Sequence, residues 1–152
     1  MSAFVVNPAS AFARRVPAAR GALQPALHRS ALLLGCVAVL ALVATLVPSA
    51  AAAFPDPDLA RLLRGMALIK GGIALAAIGA VLWRFGWPIG RGCAAAYMLG
   101  CWVLAGASLL VWQLTLIPLA AIAFHGFELG LLFVAWRDHR AERAESAADA
   151  TA

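Results

Sequence analysis

Charge is scarce in this sequence. Asp, Glu, Lys and Arg make up 12% of its 152 residues, roughly half the share that a soluble domain carries. Apolar residues take the space, at 64%. One soluble core cannot hide that much apolar surface, so lipid is the solvent for much of it. Cysteine is nearly missing as well. Cys36, Cys93 and Cys101 lie in or beside apolar runs, with no CxxC pair and no even-numbered framework. That excludes a disulfide scaffold and a cysteine zinc site, and each thiol reads as a small residue packed in a membrane helix. Acid is absent from the first 30 residues, and the net charge is +5. The basic residues sit at the edges of apolar runs and are not interleaved with aromatic stacking platforms, so no nucleic-acid partner is expected.

What is present is a set of long apolar runs. A helix needs about 20 apolar residues to cross the hydrocarbon core. Four stretches qualify: 31–53, 65–83, 92–112 and 116–136. "FPDPD" (Phe54 to Asp58) breaks the first from the second, with Asp58 the expected N-cap. "RFGWPIGR" (Arg84 to Arg91) and "QLTLIP" (Gln113 to Pro118) make the other two breaks, with Thr115 a candidate cap and Pro118 tolerable in a first turn. Such short connections make consecutive helices antiparallel neighbours. The expected fold is therefore all-α, an integral membrane four-helix bundle of up-down topology over residues 31–137.

Basic residues orient it. With the N-terminus inside, Arg14, Arg15, Arg20, Arg29, Arg84, Arg91, Arg137, Arg140 and Arg143 are cytoplasmic, only Arg61 and Arg64 fall outside, and Lys70 lies within the second span. That bias predicts both termini in the cytoplasm of a cell with the protein in its inner membrane, taken as bacterial. Trp83, Trp87 and Trp136 would mark one interface, Trp112 and Phe54 the other. Residues 1–30 read as a disordered basic tail interrupted by Pro8, Pro17 and Pro25; a cleaved signal peptide and an organelle transit peptide are the competing readings. Residues 138–152 read as a polar tail whose arginines either touch anionic lipid or simply meet solvent.

Few polar groups remain at membrane depth. The second span holds Lys70 and the fourth holds His125 and Glu128. Counted at 1.5 Å per residue from the outer ends, these lie roughly 8, 13 and 18 Å deep. Thr45 and Ser108 fall at roughly 6–12 Å and Cys101 at roughly 16 Å. Tyr97, Cys101, Ser108 and Trp112 share one face of the third span, and Ala67, Ala74 and Ala77 flank Lys70. The expectation is one inward-facing polar cluster of Lys70, His125, Glu128, Ser108, Thr45, Tyr97 and Cys101, with Lys70 and Glu128 as a direct ion pair. Gly126 and Gly130 form a GxxxG pattern on the other side of the fourth helix, about 150° away. It is read first as intrachain packing and second as an oligomer contact.

The residue types exclude several chemistries. A di-iron bundle needs Glu-x-x-His twice plus further carboxylates, and here a single His-x-x-Glu occurs. A bis-histidine haem lacks its second histidine, and one serine with one histidine is weak ground for a hydrolase. No catalytic, cofactor or metal site is expected. Two readings survive: a structural or accessory subunit or assembly factor packing against a larger membrane partner, and a small oligomeric proton-linked transporter using Glu128 and His125. A membrane redox or enzyme subunit ranks behind both. The expected partners are the lipid bilayer and a membrane protein or a second copy.

Overall fold

The computed structural model describes residues 8–47 and 56–149, with side chains from residue 26 onward except 142, 145, 146, 148 and 149. The described residues form four helices and no strand: α1 (Pro8–Leu46), α2 (Pro57–Arg84), α3 (Arg91–Trp112) and α4 (Ile117–Asp149). Each contains a stretch long and apolar enough to cross a membrane, namely Ala26–Leu46, Pro57–Arg84, Arg91–Trp112 and Ile117–Ala141.

The helix ends follow local chemistry. At α2 the N-cap is Asp56, not the expected Asp58. Its carboxylate accepts from the Asp58 N–H (2.9 Å) and the Leu59 N–H (3.2 Å). Pro57 follows at the first helical position, where a missing N–H costs nothing. A cap of this kind contributes about 1 kcal/mol. Asp58 instead sits in the first turn against Arg61 at 3.4 Å, both highly exposed. The α3–α4 connection is tighter than its sequence suggests. Leu114 adopts φ 59° and Leu116 φ 47°. The Thr115 N–H returns to the Leu110 carbonyl and the Leu114 N–H to the Val111 carbonyl. These bonds form the helix-ending motif that glycine usually completes. Leucine is retained at 114 although this backbone costs a non-glycine residue about 1–2 kcal/mol, because its side chain is buried. Thr115 does not cap α4; its hydroxyl donates back to Leu110.

α1 begins at Pro8, well before the expected start at residue 31, so its backbone takes in much of the segment read as a disordered tail. Pro8 opens the helix, and Pro17 and Pro25 each remove one backbone bond from a long ladder. The expected first span continued to 53; residues 48–53 lie outside those described.

α3 is the centre of the bundle, packing against each of the other three helices. Half of its apolar span is buried, against 6% for α1 and 11% for α4. Its small residues permit this. Ala94, Gly100, Ala105, Ala107 and Ser108 are all buried, so three neighbours approach one backbone. At Gly100 a neighbour comes very near the backbone. A Cβ there would lie 2.5 Å and 2.6 Å from Leu131 Cδ2 and Cγ on α4.

Candidate functional site

Lys70 sits midway along α2 and is only 8% exposed. The small residues beside it, Ala67 and Ala74, are buried and let Phe124 of α4 close over the stem. Its ammonium lies 4.2 Å from the centre of the Phe124 ring, a cation–π contact worth up to about 2 kcal/mol when desolvated. The ammonium reaches His125 Nε2 at 3.1 Å. On the other side of the imidazole, Nδ1 is 3.3 Å from Glu128 Oε2.

This geometry selects one tautomer. An ammonium has donors and no acceptor, so Nε2 must accept from Lys70. The ring proton then resides on Nδ1 and is donated to the Glu128 carboxylate. One imidazole in that tautomer serves both neighbours, accepting from Lys70 and donating to Glu128. An imidazolium would set two donors against each other at 3.1 Å.

The expected direct Lys70–Glu128 ion pair is not formed; His125 stands between the two groups. The reason is geometric. His125 and Glu128 lie one turn apart on α4, and the turn nearer the α2 contact carries the imidazole. The expected inward orientation is also corrected. The His125 side chain is 64% exposed and that of Glu128 33%. Both flank the α2–α4 groove on the outer side, and Phe124 takes the inward position, 1% exposed.

The remaining predicted members do not join them. The Ser108 hydroxyl donates to the Leu104 carbonyl of its own helix (2.8 Å), and that of Thr45 to Leu42 (2.7 Å). Each satisfies itself locally, the usual outcome for a hydroxyl on a membrane helix. Cys101 is fully buried among Leu33, Ile78, Val81 and Tyr97 and serves as core. Gly126 and Gly130 are also corrected as intrachain packing residues: nothing lies within 4 Å of a Cβ at either. α3 already occupies the opposite side of α4, so this face has no helix to meet within the described chain.

Tyr97 belongs to a second polar group that the sequence reading missed. Its hydroxyl donates to Asp138 Oδ2 (3.2 Å), which also accepts from Arg84 Nε at 2.7 Å. Arg84 further donates to the Pro88 carbonyl (3.3 Å). The arginine and aspartate side chains are 19% and 15% exposed. This clamp ties the last turn of α2 to α3 and to α4 beyond its apolar run. Removing the carboxylate takes away the ion-pair partner of Arg84 Nε and the acceptor of the Tyr97 phenol together. Asp138→Ala is expected to lower unfolding free energy by about 2 kcal/mol, and Tyr97→Phe by about 1 kcal/mol. Detergent titration monitored by circular dichroism measures both. Equal losses would mean that the Arg84 bond contributes nothing.

Among the described residues, no three His, Cys, Asp or Glu side chains converge as metal ligands. The Lys70–His125–Glu128 chain can hold or pass a proton and can pair with polar groups presented from outside the bundle. Compared with known proteins, the chain matches no family model, no curated protein and no solved structure.

Proposed function

We propose that the protein is a structural or accessory subunit, or an assembly factor, that lays α4 against a larger membrane partner. One observation carries this reading: His125 and Glu128 lie on the outside of the bundle within the apolar stretch Ile117–Ala141, with the imidazole 64% exposed. They stand about 12 and 16 Å along α4 from Ile117. Left facing lipid, ionisable groups at that depth cost several kcal/mol. A protein surface offering hydrogen-bonding groups removes that cost. The adjoining strip of α4, between this pair and Gly126 and Gly130, is shaped for a helix. Ile122, Leu129 and Trp136, all exposed, recur every seven residues and bracket His125. Gly126 and Gly130 lie beside that ridge and leave room for close backbone approach.

The contacts support an up-down arrangement. Arg64 near the start of α2 meets Trp112 at the end of α3, while Arg84 and Tyr97 join at the other end. α1 runs alongside α3, with Arg29 donating to Ile89 (3.5 Å) and Gln113 donating to Ala44. We place the end holding Arg84 and Asp138 in the cytoplasm with both termini, since nine arginines fall there and two at the other end. A bacterial inner membrane fits this charge bias.

The second reading, a small oligomeric proton-linked transporter, draws on the bridging imidazole, which connects an ammonium to a carboxylate. Purification of the full chain in mild detergent separates the two. The accessory role predicts a stoichiometric larger membrane protein that is lost when Glu128 and His125 are replaced by leucine. A lone homodimer whose Glu128→Gln variant folds but loses proton-linked uptake would establish transport instead.

A further inference from the structure

A cleft of about 500 Å³ opens between α1 and the α2–α3 pair at the end of the bundle that holds Trp112. Ala41 and Ala44 of α1, with Val47 just beyond its end, face Leu109 across it, and Arg64, Trp112 and Gln113 complete the wall. Two polar atoms here are buried without a hydrogen-bond partner: Arg64 Nε, a donor, and Gln113 Oε1, an acceptor. Both side chains are held in place. The Arg64 guanidinium stacks over Trp112, 5.7 Å from the ring centre. The Gln113 amide donates from Nε2 to the Ala44 carbonyl, which leaves its oxygen uncommitted. An orphaned buried polar atom costs about 1–3 kcal/mol, so two in one cleft imply something that supplies both partners. Arg64 has no carboxylate within ion-pairing distance among the described residues, whereas the neighbouring Arg61 is engaged by Asp58.

We propose that this cleft binds a phosphate ester whose head also donates a hydrogen bond. The phosphate accepts from Arg64 Nε and offsets the guanidinium charge. A hydroxyl or ammonium on the ester donates to Gln113 Oε1. The alanine and leucine wall takes the adjoining apolar carbons. The volume falls within the range of small-molecule sites. A glycerol- or ethanolamine-headed phospholipid offers this chemistry, and so does a soluble glycerol phosphate.

Native mass spectrometry of the full chain from micelles doped equally with phosphatidylethanolamine and phosphatidylcholine tests the assignment. Both lipids are zwitterionic and share the phosphate, but only the first carries a hydrogen-bond donor on its head. Phosphatidylethanolamine should be retained about tenfold more, the equivalent of one satisfied buried hydrogen bond. Gln113→Leu should abolish the preference, Arg64→Met should lower retention of both lipids, and Arg61→Met should leave both retention and preference intact. Arg64→Lys keeps the charge and the stem, and should still weaken retention because a lysine ammonium cannot donate from the Nε position. Soluble glycerol phosphate at millimolar concentration, if it displaces the lipid, identifies a solute site; if it does not, the ligand is a lipid. Equal retention of both lipids, or unchanged retention in folded Arg64→Met and Arg64→Lys proteins, would overturn the proposal.

Discussion

His125→Leu is expected to destabilise the protein by about 3 kcal/mol, although the imidazole itself is largely exposed. The cost arises at Lys70. Lys70 is 8% exposed, and among the described residues its ammonium meets one hydrogen-bonding group, His125 Nε2 at 3.1 Å. Deleting the acceptor of a buried charged donor leaves that donor unsatisfied, which costs about 3 kcal/mol or more. The Phe124 face retains part of the attraction, so the lower end of that range applies. The rescue is diagnostic. Lys70→Met added to His125→Leu removes the stranded charge and should restore most of the loss, because methionine fills a similar volume between Ala67, Ala74 and Phe124. Glu128→Gln should cost far less than His125→Leu, since its carboxylate is one-third exposed and touches only the imidazole. A direct Lys70–Glu128 pair would reverse that order, with Glu128→Gln the costlier change. Unfolding midpoints in a denaturing-detergent titration decide between the two.

The second large effect belongs to Gly100. A Cβ at this position would stand 2.5–3.1 Å from three Leu131 carbons, including the branch point Cγ. Relief requires Leu131, partly buried between the helices, to leave its rotamer or α4 to shift away from α3. Gly100→Val is expected to cost about 3 kcal/mol, the upper end of the range for overpacking a filled interior. The gain in helix propensity over glycine is under about 1 kcal/mol and does not offset it. Leu131→Ala should recover part of the loss in the double variant by opening the facing volume. Equivalent changes at Gly126 or Gly130, where nothing lies within 4 Å, should leave the isolated protein's stability nearly unchanged. The comparison therefore separates the glycine that packs the bundle from the pair available to something outside it.

The contrast between these glycines shows where sequence reasoning stops. Span positions were legible because twenty-residue apolar runs bounded by arginine and tryptophan have one physical explanation. α3 lies close to its expected range at both ends, while α2 starts earlier, α4 runs well past its apolar part and α1 begins long before its expected start. Depth and face also brought Lys70 together with His125. Depth counted along separate helices does not say which of two residues on one face meets the neighbour, so the imidazole was missed as the bridge. Tyr97 was assigned to the correct stripe of α3 and to the wrong end. Sharing a face with Ser108 does not mean sharing a depth, and its hydroxyl lies about three turns away toward Asp138. Asp138 itself was concealed by its surroundings, an alternating run of charges that reads as a solvated tail. Gly100 carried a faint signal, the Ala96–Gly100 small-residue spacing, which does not stand out in a chain holding 13 glycines.

The central claim is that the outer face of α4 is a protein-binding surface, and site-specific photocrosslinking in native membranes tests it most directly. A photoreactive residue replaces Leu129, which is 66% exposed on the ridge between His125 and Gly126; a second probe replaces Leu75 on α2, 67% exposed and away from that ridge. The account predicts a discrete protein adduct from position 129, lost with His125→Leu and Glu128→Leu, and only lipid adducts from position 75. Lipid adducts alone from both positions would contradict it.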